Sequence, residues 1–89
     1  GAARWDGKRW SNLTAKEGLA GNIVYSITQD REGQLWFGTN NGVSRWDGKQ
    51  FKTWGLAEGL LDRNVYALAV APNGDVWAGT KKGVARIVR

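Results

Sequence analysis

Cysteine and histidine are both missing from the 89 residues. Without cysteine there are no disulfides and no thiolate metal sites, and the redox compartment cannot be read. Without histidine the commonest general base and the commonest metal ligand are gone, along with every histidine-dependent triad. Proline occurs once, at Pro72. No uninterrupted apolar run is long enough to span a bilayer. The opening stretch, GAARWDGKRW, has no apolar core of the signal-peptide kind.

What the chain does have is glycine, tryptophan and positive charge. Thirteen Gly beside one Pro suggest many tight turns between short strands rather than helices. Six Trp is unusual in so short a chain. Thirteen Lys and Arg against eight Asp and Glu give a net charge of +5, which permits a polyanionic partner without demanding one.

The chain also repeats itself. Gly1, Gly42 and Gly83 open matching stretches 41 residues apart, with no gap. Arg4-Trp5-Asp6-Gly7-Lys8 falls on Arg45-Trp46-Asp47-Gly48-Lys49, and Glu17-Gly18-Leu19 on Glu58-Gly59-Leu60. Val24-Tyr25 falls on Val65-Tyr66, Gly33 on Gly74, and WFGT (36–39) on WAGT (77–80). The organisation is one module over 1–89: a first repeat, 1–41, a second, 42–82, and a partial third, 83–89.

Each repeat reads as four strands. IVYSITQ and VYALAVA carry β-branched and aromatic residues between turn signals. REGQ and PNGD place a glycine in the short connection to LWFGT and VWAGT, as a hairpin with a left-handed residue requires. Asn40-Asn41 and Lys81-Lys82 lead into GVSRWD and GVARIV. Asp6-Gly7 and Asp47-Gly48 read as two-residue hairpin turns into RWSNL and QFKTW. Longer polar loops, TAKEGLAGN and GLAEGLLDR, lead to the next repeat.

Four antiparallel strands per 41 residues make the expected fold all-β, a β-propeller with two four-stranded blades per chain. Apolar residues lie on both strand faces, Val43 on one and Trp46 on the other, and a blade between blades buries both. A small sandwich or barrel with a duplicated half is the alternative.

The stretches GVSRWDGKQF, AEGL, NIVYSITQDREGQLWFGTNNG and NVYALAVAPNGDVWAGTKKG resemble the two-component regulator propeller repeat, found in sensor ectodomains of hybrid histidine kinases. The resemblance covers essentially the whole chain. It implies seven-bladed propellers that sense ligands, often carbohydrates, in a periplasmic or extracellular setting. Streptogramin-cleaving lyase propellers have a similar blade but use a histidine that this chain lacks.

The departure from the family is size, because two blades leave open edges. We expect either a piece excised or engineered from a longer propeller or, preferentially, several copies closing one ring. Three chains would give six blades and four would give eight. In family lettering, with A innermost, the strands run C, D, A, B, C, D, A, B, C. Residues 9–13 of a neighbour are then expected to complete the last blade, with residues 1–6 and 83–88 competing for one place and residues 1–3 displaced. The closure residues are Trp10, Leu13, Val84 and Ile87. Trp5, Trp36, Trp46 and Trp77 are expected to fill the space between blades.

No constellation supports catalysis, and no cofactor is expected. DREG (30–33) resembles the start of a calcium loop, but its copy is APNG, and a hairpin turn explains both. Asp6 and Asp47 belong to turns. Glu17 and Glu58 recur once per repeat, which argues for a structural job, such as pairing with Arg4, Arg45 or Arg86. The binding candidates lie on the loops of one face: Asn22, Asn40, Asn41, Arg63, Asn64, Lys81 and Lys82, with Tyr25 and Tyr66 nearby. Assembled, Arg63, Lys81 and Lys82 would form a basic annulus suited to an acidic glycan. The expected partners are thus further copies of the chain and an acidic or neutral glycan; neither a membrane nor nucleic acid is expected. The alternative function is a segment of a ligand-sensing propeller.

Overall fold

Short runs of β-branched and aromatic residues, cut by glycine-containing turns, become nine strands among the described residues of this computed structural model. The described residues are 1–5, 7–14, 16 and 18–88, excluding the side chains of Trp5 and Trp10. The strands are β1 (Ala2–Trp5), β2 (Trp10–Leu13), β3 (Val24–Gln29), β4 (Leu35–Thr39) and β5 (Gly42–Trp46). They continue as β6 (Phe51–Trp54), β7 (Val65–Val70), β8 (Val76–Thr80) and β9 (Gly83–Ile87). A 3₁₀ turn at Leu56–Glu58 is the longest helical piece among the described residues.

All pairing is antiparallel and between chain neighbours, in three sheets ordered β1-β2, β3-β4-β5-β6 and β7-β8-β9. The middle sheet is a complete four-stranded blade. The last has its three inner strands, and the first hairpin corresponds to the two outer ones. Registers repeat with the sequence: Ala2 faces Leu13 as Val43 faces Trp54, and Gly38 faces Val43 as Gly79 faces Val84.

The turn chemistry follows the expected pattern at the first hairpin of each blade. Gly33 and Gly74 sit at positive φ and donate to Asp30 O and Ala71 O. The Asp47-Gly48 turn differs from expectation. Trp46 pairs with Phe51, so Asp47 precedes the bend rather than forming its centre. Its Oδ1 accepts the N–H groups of Lys49 at 2.8 Å and Gln50 at 2.9 Å, leaving Gly48 to take the positive φ. Asp6, in the first copy, lies outside the described residues.

The middle sheet is covered on both faces. Toward the last sheet it presents Trp36, Val43 and Trp54, which pack with Val65, Val76, Ala78, Leu60 and Ile87. Toward the first hairpin it presents Phe37, Leu35, Trp46 and Phe51, packed with Leu13, Leu19 and Ala2. Val43 and Trp46 therefore do serve opposite faces. The first interface is close. A Cβ on Gly38 would stand 2.7 Å from Val65 O and 3.0 Å from its Cγ1, so glycine is what lets the two sheets approach.

Candidate functional site

Antiparallel strands place the loops between repeats and the β4–β5 and β8–β9 hairpins at one end of the sheets. Several ties hold these loops. Asn40 N–H donates to Ile23 O at 3.0 Å, and Asn40 Oδ1 accepts Ile23 N–H at 3.3 Å. Asn41 Nδ2 donates to Ala20 O at 3.1 Å, and Gly42 N–H to Arg63 O at 2.7 Å. Glu58 Oε1 accepts Gly55 N–H at 2.6 Å, closing the 3₁₀ turn on itself. Glu58 thus caps its own loop, where pairing with an arginine was expected. Glu17 lies outside the described residues.

Between these loops lies an open groove of about 410 Å³, lined by Asn40, Leu56, Leu61, Asp62, Arg63, Asn64 and Lys82. Asp62 Oδ1 accepts Asn64 N–H at 2.8 Å and Asn64 Nδ2 at 3.2 Å. The Asn64 N–H holds the Asp62 carboxyl below its ordinary value. Slight desolvation opposes this, while the Asn64 amide and the charges of Lys82 and Lys81 reinforce it. Arg63 and Lys82 are exposed at the groove. The groove is thus concave, held in shape and positively biased, with Arg63 and Lys82 against the single carboxylate of Asp62.

Four of the expected binding residues, Asn40, Arg63, Asn64 and Lys82, meet here. Asn22, Asn41 and Lys81 lie on the same loops but do not line it; Asn22 O instead receives the N-terminal ammonium. Tyr25 and Tyr66 form a separate pair, ring centroids 4.8 Å apart at 53°. Each is the extra residue of a bulge, since the β3–β4 register shifts between Val24 and Ser26 and the β7–β8 register between Val65 and Ala67. Sequence reasoning missed Leu56, Leu61 and Asp62. The available signal was divergence between repeats, because Asp62-Arg63 stands where the first copy has Gly21-Asn22.

The tryptophans are placed unequally. Trp36 is fully buried, stacked on Trp54 at 5.0 Å. Trp46 is half-buried against Phe51 at 4.7 Å and also lines a groove of about 330 Å³ at the opposite end, with Arg4, Gln29 and Asp47. Trp77 is exposed. Trp5 and Trp10 have side chains outside the described set. Of the expected closure residues, Leu13 and Ile87 are buried inside the chain and Val84 is exposed.

The recurring arginines also differ from expectation. Arg45 lies over the rings of Trp36, at 5.8 Å, and Trp54, at 5.6 Å, rather than in an ion pair with Glu58. Arg86 lies over Trp77 at 5.8 Å and pairs with Asp75 at 3.8 Å. An aromatic face takes a guanidinium between packed sheets at less desolvation cost than a buried ion pair. Asp30 is likewise engaged. Its Oδ1 accepts Glu32 N–H and Gln34 N–H, both at 2.9 Å, and its Oδ2 accepts Trp36 Nε1–H at 2.9 Å.

Comparison with known families matches the two component regulator propeller twice, at residues 18–41 and 59–82, together more than half of the chain. Comparison with curated proteins finds no match.

Proposed function

The chain belongs to the two-component regulator propeller family, and from that premise we propose that it is a self-assembling structural module, closing a propeller ring of six or eight blades with copies of itself. The observation that carries this reading is a mismatch between repeat-equivalent positions. Trp36 and Val43 are both 0% exposed, covered by the last sheet, whereas their copies Trp77 and Val84 are 41% and 62% exposed. The opposite flank is complementary: Ile27 is 54% exposed, while its copy Leu68 packs into the core between the sheets. One flank thus offers a tryptophan and a valine, and the other offers the kind of surface that covers them.

These two flanks are different surfaces, so their union is head-to-tail, the interface type that closes rings. The packing of the middle sheet against the last serves as the template for it. Burying the exposed remainder of Trp77, Val84 and Ile27 would supply roughly 1–2 kcal/mol apiece. The outer edge of β9 is the second support, since its copy β5 pairs there with β6.

Native mass spectrometry of the chain at low micromolar concentration tests the reading. One species of three or four chains is expected. A monomer, or a continuous spread of sizes, would overturn it.

A further inference from the structure

We propose that Tyr25 and Tyr66 form an oxidative cross-linking site, at which a haem peroxidase using hydrogen peroxide joins two sheets of one chain by a dityrosine bond. They are the only tyrosines in the sequence, yet they meet. β3 lies beside β7, and the two rings stand 4.8 Å apart, centroid to centroid, at 53°. That separation is little more than that of two directly bonded rings, and a twist of this size is open to a biaryl with ortho hydroxyls. Each tyrosine is the extra residue of a bulge, which re-aims a side chain out of the alternation of its strand. Both are exposed, at 42% and 46%, so an oxidant reaches them from solvent. Among the described residues the other ring pairs, Trp36–Trp54, Phe37–Phe51 and Trp46–Phe51, each lie within one sheet, and this pair alone joins two.

The second argument is selectivity. The chain has neither cysteine nor methionine, so peroxide finds no sulfur to oxidise. Tryptophan competes with tyrosine as a one-electron donor, but Arg45 lies over Trp36 and Trp54, Lys52 over Trp54 at 5.2 Å, and Arg86 over Trp77. A positive charge on a ring face opposes removal of an electron from that ring. The chemistry balances. The peroxidase takes one electron and one proton from each phenol, and the two phenoxyl radicals couple at ring carbons ortho to the hydroxyls. Each of those carbons then gives up its proton as each oxygen regains one. The chain loses two hydrogen atoms, and one hydrogen peroxide is reduced to two waters. The bond ties residues 41 positions apart, and so restricts the unfolded chain as a disulfide would in a protein with cysteine.

Both tyrosines belong to one chain, so the bond does not depend on ring closure. The test treats the full chain, at high dilution, with hydrogen peroxide and a haem peroxidase in the presence of excess N-acetyltyrosine. That competitor captures any tyrosyl radical with no partner at hand. Intact mass, peptide mapping and a denaturing gel read the product. The expected result is a single-chain product lighter by two hydrogens, with the peptides of Tyr25 and Tyr66 joined and the fluorescence of dityrosine. Its urea midpoint should lie above that of the untreated chain. Tyr25→Phe and Tyr66→Phe each remove one exposed hydroxyl, so their far-UV circular dichroism should match the parent's while the link is lost from both. Adducts of N-acetyltyrosine in place of the link, joined peptides that persist in either folded variant, or an unmoved midpoint would each overturn the assignment.

Discussion

Trp36 donates its indole N–H to Asp30 Oδ2 at 2.9 Å, a buried bond made within one blade. In the next repeat Ala71 stands where Asp30 does, and Trp77, the copy of Trp36, is exposed. In the middle blade the pair ties the β3–β4 turn to the covered face of the sheet, because a buried indole N–H needs an acceptor.

Replacing Asp30 by Ala should cost about 2–3 kcal/mol, since it strands the Trp36 indole and two backbone N–H groups of the turn. Urea unfolding reads the loss. In the Asp30→Ala background, Trp36→Phe should be cheaper than in the parent by about 1 kcal/mol, the coupling expected of directly bonded partners. Equal costs in the two backgrounds would mean that the bond contributes nothing.

Two equivalent glycines should respond differently. Gly38→Ala puts a methyl against the backbone of Val65 and should destabilise the fold by about 1–3 kcal/mol. Gly79→Ala meets nothing nearer than Ala67 Cβ at 3.6 Å in the chain itself, so it should leave the fold of a single chain near neutral. If a neighbour's sheet docks there as the last sheet docks on Gly38, the same methyl must weaken assembly. Thermal unfolding and native mass spectrometry together separate these effects. Undiminished assembly in Gly79→Ala would show that the docking differs from the template inside the chain.

Strands and topology were legible because the 41-residue repetition places every Gly turn twice and the β-rich runs between them have one reading. The partners of individual side chains were not. Arg45 was expected beside a carboxylate because burial demands compensation, yet Trp36 and Trp54 compensate it, and only the register of β4 to β6 brings those rings to it. The Tyr25 and Tyr66 bulges likewise leave no mark in residue type. Half of the groove was visible in the Asn and Lys hairpins. The other half depends on how a polar loop folds over the gap between sheets.

Acid should loosen the β5–β6 hairpin. The N–H groups of Gln50 and Lys49, in that order, hold the Asp47 carboxyl below its ordinary value of 3.8, with the charge of Arg45 adding to them. A lowered value in the folded state means stability that is complete above 3.8 and lost as pH falls through the folded value. Asp47→Asn keeps an acceptor but cannot titrate, so its stability should show less pH dependence than the parent's below about pH 4. Parallel melts between pH 5 and pH 2 check the sign. If the parent and Asp47→Asn curves stay parallel, the carboxylate is not what secures the turn.

A strand exchange is the sharpest prediction of the proposed ring closure. β1 pairs with β2 through Ala2–Leu13, Ala3–Asn12 and Arg4–Ser11, the register in which β5 pairs with β6. Val84, Ala85 and Arg86 of β9 stand two 41-residue repeats after Ala2, Ala3 and Arg4, so β9 of a neighbour can take the same register on β2. Val84 buries more apolar surface than Ala2, which favours the exchange. Within one chain β1 has the advantage of proximity, its closure requiring only a short turn. In the proposed ring β1 would be a placeholder that assembly displaces. A chain lacking residues 1–5 should form the closed ring at lower concentration than the parent, whereas Leu13→Asp should abolish closure by putting a charge where Trp54 sits in the complete blade. Size-exclusion chromatography with light scattering, run as a dilution series, measures both. If removing residues 1–5 instead prevents assembly, β1 is part of the interface and β9 closes on something else.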